Sequence, residues 1–273
     1  MLTSGSYSMN TQKIIFNRRL RKDNDRLTYV IGFRAKDGIA IVADRKITRA
    51  SGSVSYEPKI FNDVENVLIA AAGPVGLFDK FRTEIFPKSQ EKLDEYRDDP
   101  QKLVKDAEKL VYQLNEEYFD RIRSPIEVLI ALGQKVYPDL QHITANGVGQ
   151  RVRYYQAIGS GEPYGSFFLK MSYSEELNMY QCGALGYFII KMIEDKALDN
   201  AVGIEKESDP DIWIMPIAPD NYSELSPEER TKYDHKKLTG GELDHIRKII
   251  SNEYLKFDKY FKNDFSNLFH QVQ

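Results

Sequence analysis

The chain has 273 residues, with 38 Lys and Arg, 41 Asp and Glu, and a single cysteine. Its 41% apolar and 12% aromatic content suits a sizeable core and is too rich for a disordered chain. A net charge of −3 excludes a chain built as a whole to hold polyanions, one cysteine excludes an internal disulfide, and no apolar run is long enough to span a membrane. A reducing, cytoplasmic setting is therefore expected.

Residues 1–27 carry six basic side chains (Lys13, Arg18, Arg19, Arg21, Lys22, Arg26) against Asp23 and Asp25, a net +4. The other 246 residues carry −7. The leader is polar, without a signal-peptide core. It reads as a solvated tail or as a pro-segment.

From Thr28 the pattern changes. Tyr29–Phe33 and Ile39–Ala43 are apolar and β-branched, and Lys36-Asp37-Gly38 between them predicts a hairpin turn. Residues 49–58 predict a loop or irregular strand, and 66–72 another buried strand closed by Gly73-Pro74-Val75-Gly76. Leu77, Phe78, Phe81 and Ile85 repeat at helical spacing, as do Leu103, Ala107, Leu110, Leu114 and Tyr118, with Asp99-Pro100 between the two helices. Strands are expected at 126–132, 140–145, 152–158 and, last, 211–216. Helices are expected at 163–172 and 175–198. Beyond Pro219 the chain is polar. Ser226-Pro227 predicts a helix start. An apolar stripe from Leu243 to Leu268 predicts a long helix capped at Thr239. The element order suggests two sheets between two helix layers, an α+β fold.

The run from Thr28 through Gly32, Lys36-Asp37-Gly38 and Asp44 resembles the mature start of a proteasome β-type subunit, an N-terminal nucleophile (Ntn) hydrolase. Lys59-Ile60-Phe61, Ala70-Ala71-Ala72-Gly73, Gly159-Ser160-Gly161 and Asp199 resemble further family motifs, in the family's order. The resemblance implies a four-layer αββα sandwich over 28–218, with two antiparallel sheets between helix layers; the helical extension over 219–273, read from its apolar stripe, is more than the family's core needs. The resemblance also implies a threonine-type endopeptidase, made active by removal of 1–27.

By that resemblance, Thr28 supplies the nucleophilic hydroxyl, and its own α-amine is the base once exposed. Lys59 would lower the pKa of that amine, Asp44 would orient Lys59, and the Gly73 N–H would hold the oxyanion. Ser160 and Asp199 would fix the amine. Ile47, Glu57, Ala71 and Val75 would line the first substrate pocket. Singly, Thr28 is a strand-start residue, Asp44 and Lys59 are surface charges, Gly73 a turn glycine and Ser160 a loop residue. Only their joint spacing carries the functional meaning.

No cofactor or metal is expected, since the four histidines (His142, His235, His245, His270) are scattered and are expected at the surface or in the tail. Cys182 and Trp213 are expected in the core. Partners would be peptide or protein substrates and related subunits in an oligomeric ring, with no nucleic acid and no membrane. Two departures from the family are Leu27, where self-processing subunits carry glycine, and Val202, where a serine is expected. They leave open a catalytically silent structural subunit. An Ntn acyl-transferase or peptide ligase is a third possibility.

Overall fold

The computed structural model describes residues 28–48, 53–86, 89–118, 124–133, 138–196, 198–205 and 208–260. The expected leader, residues 1–27, lies outside them, as does the end of the tail beyond 260. Twelve strands run among the described residues: β1 (Tyr29–Ala35), β2 (Gly38–Ala43), β3 (Lys46–Thr48), β4 (Val54–Tyr56), β5 (Ile60–Phe61), β6 (Val67–Ala72), β7 (Glu127–Leu132), β8 (Asp139–Ile143), β9 (Gly149–Arg151), β10 (Tyr155–Gly159), β11 (Asp211–Pro216) and β12 (Lys236–Lys237). The main helices are α1 (Val75–Ile85), α2 (Gln90–Asp98), α3 (Pro100–Tyr118), α4 (Glu162–Ser172), α5 (Met179–Asp195) and α6 (Gly241–Tyr260). A single helical turn at Pro227–Arg230 starts at the expected Ser226, whose side chain accepts from Glu229 N–H in a reciprocal cap.

Two five-stranded antiparallel sheets form, in the orders β10-β1-β2-β11-β12 and β5-β6-β7-β8-β9. Alternate residues of β1 and β2 point to opposite faces. Val30, Ile39 and Ile41 face the other sheet, where they meet Leu68, Leu129 and Leu140. Ile31, Phe33 and Val42 face outward onto α4, α5 and α6. The second sheet likewise sets Ile69, Val128 and Ile130 against α1 and α3. Each sheet is buried on both faces, so its central strands are continuous apolar runs. This is the expected helix–sheet–sheet–helix order. None of the described helices is long and apolar enough to cross a membrane.

Several expectations need correction. The strand expected at 152–158 is β10, which starts only at Tyr155; β9 is a further strand before it, with Val152 buried between the two. The helix expected from 175 starts at Met179, because Asn178 caps it by accepting from Gln181 N–H. Strand β11 is not the last: β12 adds an edge pair through Trp213↔Lys237. Helix α2 precedes Asp99-Pro100 as a separate element. Trp213 is only partly buried, whereas Cys182 is fully buried as expected. His142 is not at the surface. It is buried, with Nε2 3.7 Å from the Glu127 carboxylate. His142 on β8 stands opposite Leu129 of β7 and on the same side of its strand as Leu140, the side that faces the other sheet.

Helix α6 packs on α5 through Leu243, Ile246 and Ile250. A bidentate ion pair joins Arg247 on α6 to Asp209, with Nε donating to Oδ1 at 2.8 Å. Tyr187 Oη on α5 donates to the same carboxylate at 2.9 Å. Burial works against the Asp209 charge, but Arg247 and Tyr187 outweigh it and hold its pKa below the ordinary value. The stabilisation is full above about pH 3.9 and is lost as the pH falls through the lower folded value. Arg247→Ala is expected to cost about 1 kcal/mol at pH 7, seen as a Tm drop of roughly 2–4 °C. An unchanged Tm would show that α6 is held by its apolar face alone.

Candidate active site

The strand register gathers the expected residues at one end of the sandwich. Tyr29 pairs with Gly159 and Val30 with Ala43, so Thr28, Asp44 and Ser160 all leave the first sheet at the same edge. In the second sheet Ala70 pairs with Ile60 and Ala72 with Glu127, which brings Lys59 and Gly73 to that edge too.

Asp44 and Lys59 form a buried ion pair, with Lys59 Nζ donating to Asp44 Oδ1 at 2.7 Å. Neither is a surface charge, since their exposures are 0% and 3%. The Tyr29 N–H donates to Asp44 Oδ1 at 2.7 Å and the Gly203 N–H to Oδ2 at 3.2 Å. Lys59 Nζ also donates to the Lys46 carbonyl at 2.7 Å. Burial pushes the Lys59 pKa below its ordinary value, while Asp44 pulls it back. The pair is thus locked to the residue after Thr28, to the strand after Asp44, and to the Gly203 backbone.

Thr28 is buried and shares a cavity of about 150 Å³ with Lys59, Gly73, Ile47, Glu57, Ala71 and Val75. Every expected pocket residue therefore lines the same space as the expected nucleophile. Five further lining residues, Pro58, Phe61, Phe78, Asp79 and Arg82, were not assigned to the pocket by the sequence. Asp79 and Arg82 lie one and two turns along α1 from Val75, so helical spacing from a known pocket residue is the signal that finds them.

Two glycines are required by space. A Cβ on Gly159 would sit 2.0 Å from the Thr28 carbonyl oxygen, and its φ is +98°. Only glycine lets β10 run against the start of β1. A Cβ on Gly73 would lie 2.9 Å from Ile126 Cα. The Ile126 wall is fixed by the buried Asn115, whose side chain accepts from Ile126 N–H and donates to the Ile126 and Ala145 carbonyls.

Ser160 and Asp199 are placed differently from each other. Ser160 lines an adjoining cavity of about 170 Å³ with Gly73, Gly159, Ser124, Glu127 and Glu162. Its Oγ is buried without a hydrogen-bond partner among the described residues. Asp199 lines neither cavity. Its carboxylate accepts from Ala201 N–H at 2.8 Å, and its charge favours the protonated form of Lys59. Val202 is packed in the core and offers no hydroxyl. Burial pushes the Cys182 thiol up to about 12, so it is inert as a nucleophile. The described residues contain no cluster of side chains able to hold a metal.

The family described as "Proteasome subunit" matches residues 28–206. Anbu (ancestral beta-subunit) from Yersinia bercovieri superposes with a TM-score of 0.61 at 14% identity, over 86% of this chain and 97% of that one. The Anbu (Gly-1) mutant from Hyphomicrobium sp. strain MC1 gives a TM-score of 0.62 at 13% identity, with the same coverage of each chain. No match is found among curated protein sequences. At such identities the likeness speaks for the fold alone. The family match begins at Thr28 and takes in most of both sheets; the chain belongs to the proteasome subunit family and has its Ntn-hydrolase fold.

Proposed function

We propose that the protein is a threonine-type endopeptidase, acting through Thr28 after residues 1–27 are removed. The observation that carries this is the buried Asp44–Lys59 pair opening onto the cavity that holds Thr28. Burying two charges is costly even when they are paired. Positioned beside a hydroxyl, they serve chemistry.

In this mechanism the freed α-amine of Thr28 takes the proton from its Oγ as Oγ bonds to the peptide carbonyl carbon. The carbonyl π electrons move to oxygen, and the Gly73 N–H is the candidate donor to that oxyanion. The Lys59 charge, oriented by Asp44, disfavours a proton on the neighbouring amine in the ground state. Collapse of the intermediate breaks the C–N bond, and the leaving amine takes the proton. Water then attacks the Thr28 ester with the same base and restores the hydroxyl. Ser160 Oγ, beside Gly73, is the candidate partner for the new amine. The family is one of subunits, and the proposal extends to assembly with copies of this chain or related chains.

The test is the intact mass of the purified chain alongside turnover of fluorogenic peptides. A species beginning at Thr28 that cleaves peptides is expected. Leu27→Gly, which removes the bulk beside the bond to be cut, should speed its appearance. A chain that stays full length and cleaves nothing would mark it as a catalytically silent subunit.

A further inference from the structure

We infer that Asp211 and Lys237, which lie beyond the span of the family match, are positioning residues for Lys59 and act on it through Arg45. The inference rests on the Thr28 reading for its effect on rate. The contacts themselves do not depend on that reading.

Lys59 is held by two acceptors, Asp44 Oδ1 and the Lys46 carbonyl. Arg45 stands between them in the chain, so its placement sets the spacing of both. Its backbone is tied on two sides. The Arg45 N–H donates to the Gly203 carbonyl at 3.2 Å, and the Arg45 carbonyl accepts from Glu57 N–H at 2.9 Å. Its side chain turns to Asp211, with Nε 3.9 Å from Oδ2. The register of the first sheet brings this about. Asp211 opens β11 opposite Ala43, the residue before Asp44, and shares the face of Ala43 toward the second sheet. Lys59 stands at the start of β5 in that second sheet.

Asp211 is 1% exposed, and a carboxylate so deeply buried is costly unless it is matched. Lys237 Nζ on β12 donates to its Oδ1. Lys237 is within reach because it pairs with Trp213, two residues along β11 from Asp211. Oδ2 has no hydrogen-bond partner among the described residues, and neither has Arg45 Nε. The charge on that oxygen is left to act on the cations around it. It favours the protonated form of Lys59, as Asp44 and Asp199 also do. The family match ends at residue 206. Strands β11 and β12 therefore add a second layer of charge behind the Asp44–Lys59 pair.

The experiment measures kcat and KM for one fluorogenic peptide across pH on the full chain, with thermal melts beside them. In Asp211→Asn, kcat should fall about tenfold with KM within about twofold, since no residue lining the Thr28 cavity is changed. The acid limb of kcat/KM reports the Thr28 amine of the free enzyme. It should move up by about half a pH unit, because a Lys59 charge held less firmly depresses that amine less. A merely structural role would leave the limb in place, and direct loss of a nearby negative charge would move it down. The other charges at the cavity, Glu57, Asp79 and Arg82, are the same in every variant. Lys237→Met, at a position 37% exposed, should repeat the upward shift in smaller measure, and Lys237→Arg should recover most of the lost rate. In an Arg45→Met background, Asp211→Asn should add less than about a twofold loss. An unchanged kcat, a limb that stays or moves down in both Asp211→Asn and Lys237→Met, or a full tenfold loss in the Arg45→Met background would each overturn the inference. A wild type that hydrolyses nothing would sink the Thr28 reading alone. Urea denaturation then decides the inference: the stability losses of Asp211→Asn and Lys59→Met should be less than additive in the double variant, and additive losses would overturn it.

Discussion

Thr28→Val is expected to abolish peptide hydrolysis, by about 10³-fold or more, while leaving the fold as stable as the wild type. The scale follows from removing a nucleophile that acts as a unit with its base. It corresponds to about 4 kcal/mol of barrier. Valine is the sharper choice than alanine because Thr28 is buried in a cavity wall. It keeps the β-branched shape and puts a methyl group in place of the hydroxyl. Thr28→Ser restores the hydroxyl and should recover much of the rate. The variant should also remain full length, since self-cleavage before residue 28 would use the same oxygen. Measured kcat/KM on one peptide for the three proteins decides the matter, with thermal melts as the control for folding. Hydrolysis that persists in Thr28→Val would place the chemistry elsewhere.

The residues that proved readable in the sequence are those whose spacing is set by one hairpin. Thr28 precedes β1, Gly32 lies on it and Asp44 follows β2, and the Lys36-Asp37-Gly38 turn fixes their register. Once the register is fixed, sixteen residues of separation bring Asp44 back beside Thr28. Lys59 and Gly73 flank β5 and β6 in the other sheet, and only the family resemblance tied them to Thr28. What escaped depends on tertiary contact. The Lys46 carbonyl and the Gly203 N–H act through backbone atoms, which any residue carries. Asp79 is found only once Val75, one turn earlier on α1, is known to line the cavity. Strands β5 and β12, of two residues each, are too short to show alternation. His142 was misplaced for a related reason. A polar residue in a strand reads as exposed when one face is assumed to be wet, and here both faces are covered.

Asp44→Ala is expected to be the most destabilising change at this site, by about 3–5 kcal/mol in urea denaturation. The loss has two parts. Lys59, 3% exposed, would lose the carboxylate that holds its proton against burial. The Tyr29 and Gly203 N–H groups would lose the carboxylate they share. Each unmet buried donor costs about 1–3 kcal/mol. The double variant Asp44→Asn with Lys59→Met tests what the pair is for. It removes both charges, retains an acceptor for Tyr29 N–H and fills the lysine's path with an apolar chain of similar length. If the pair exists for chemistry, the double variant should regain most of the stability lost in Asp44→Ala and still fail to hydrolyse peptides. The coupling between the two positions, read from the four proteins of the cycle, should exceed 1 kcal/mol, because the groups touch. A double variant that hydrolyses peptides at the wild-type rate would show the pair to be scaffolding. That outcome would remove the main physical argument for catalysis, whatever the fold.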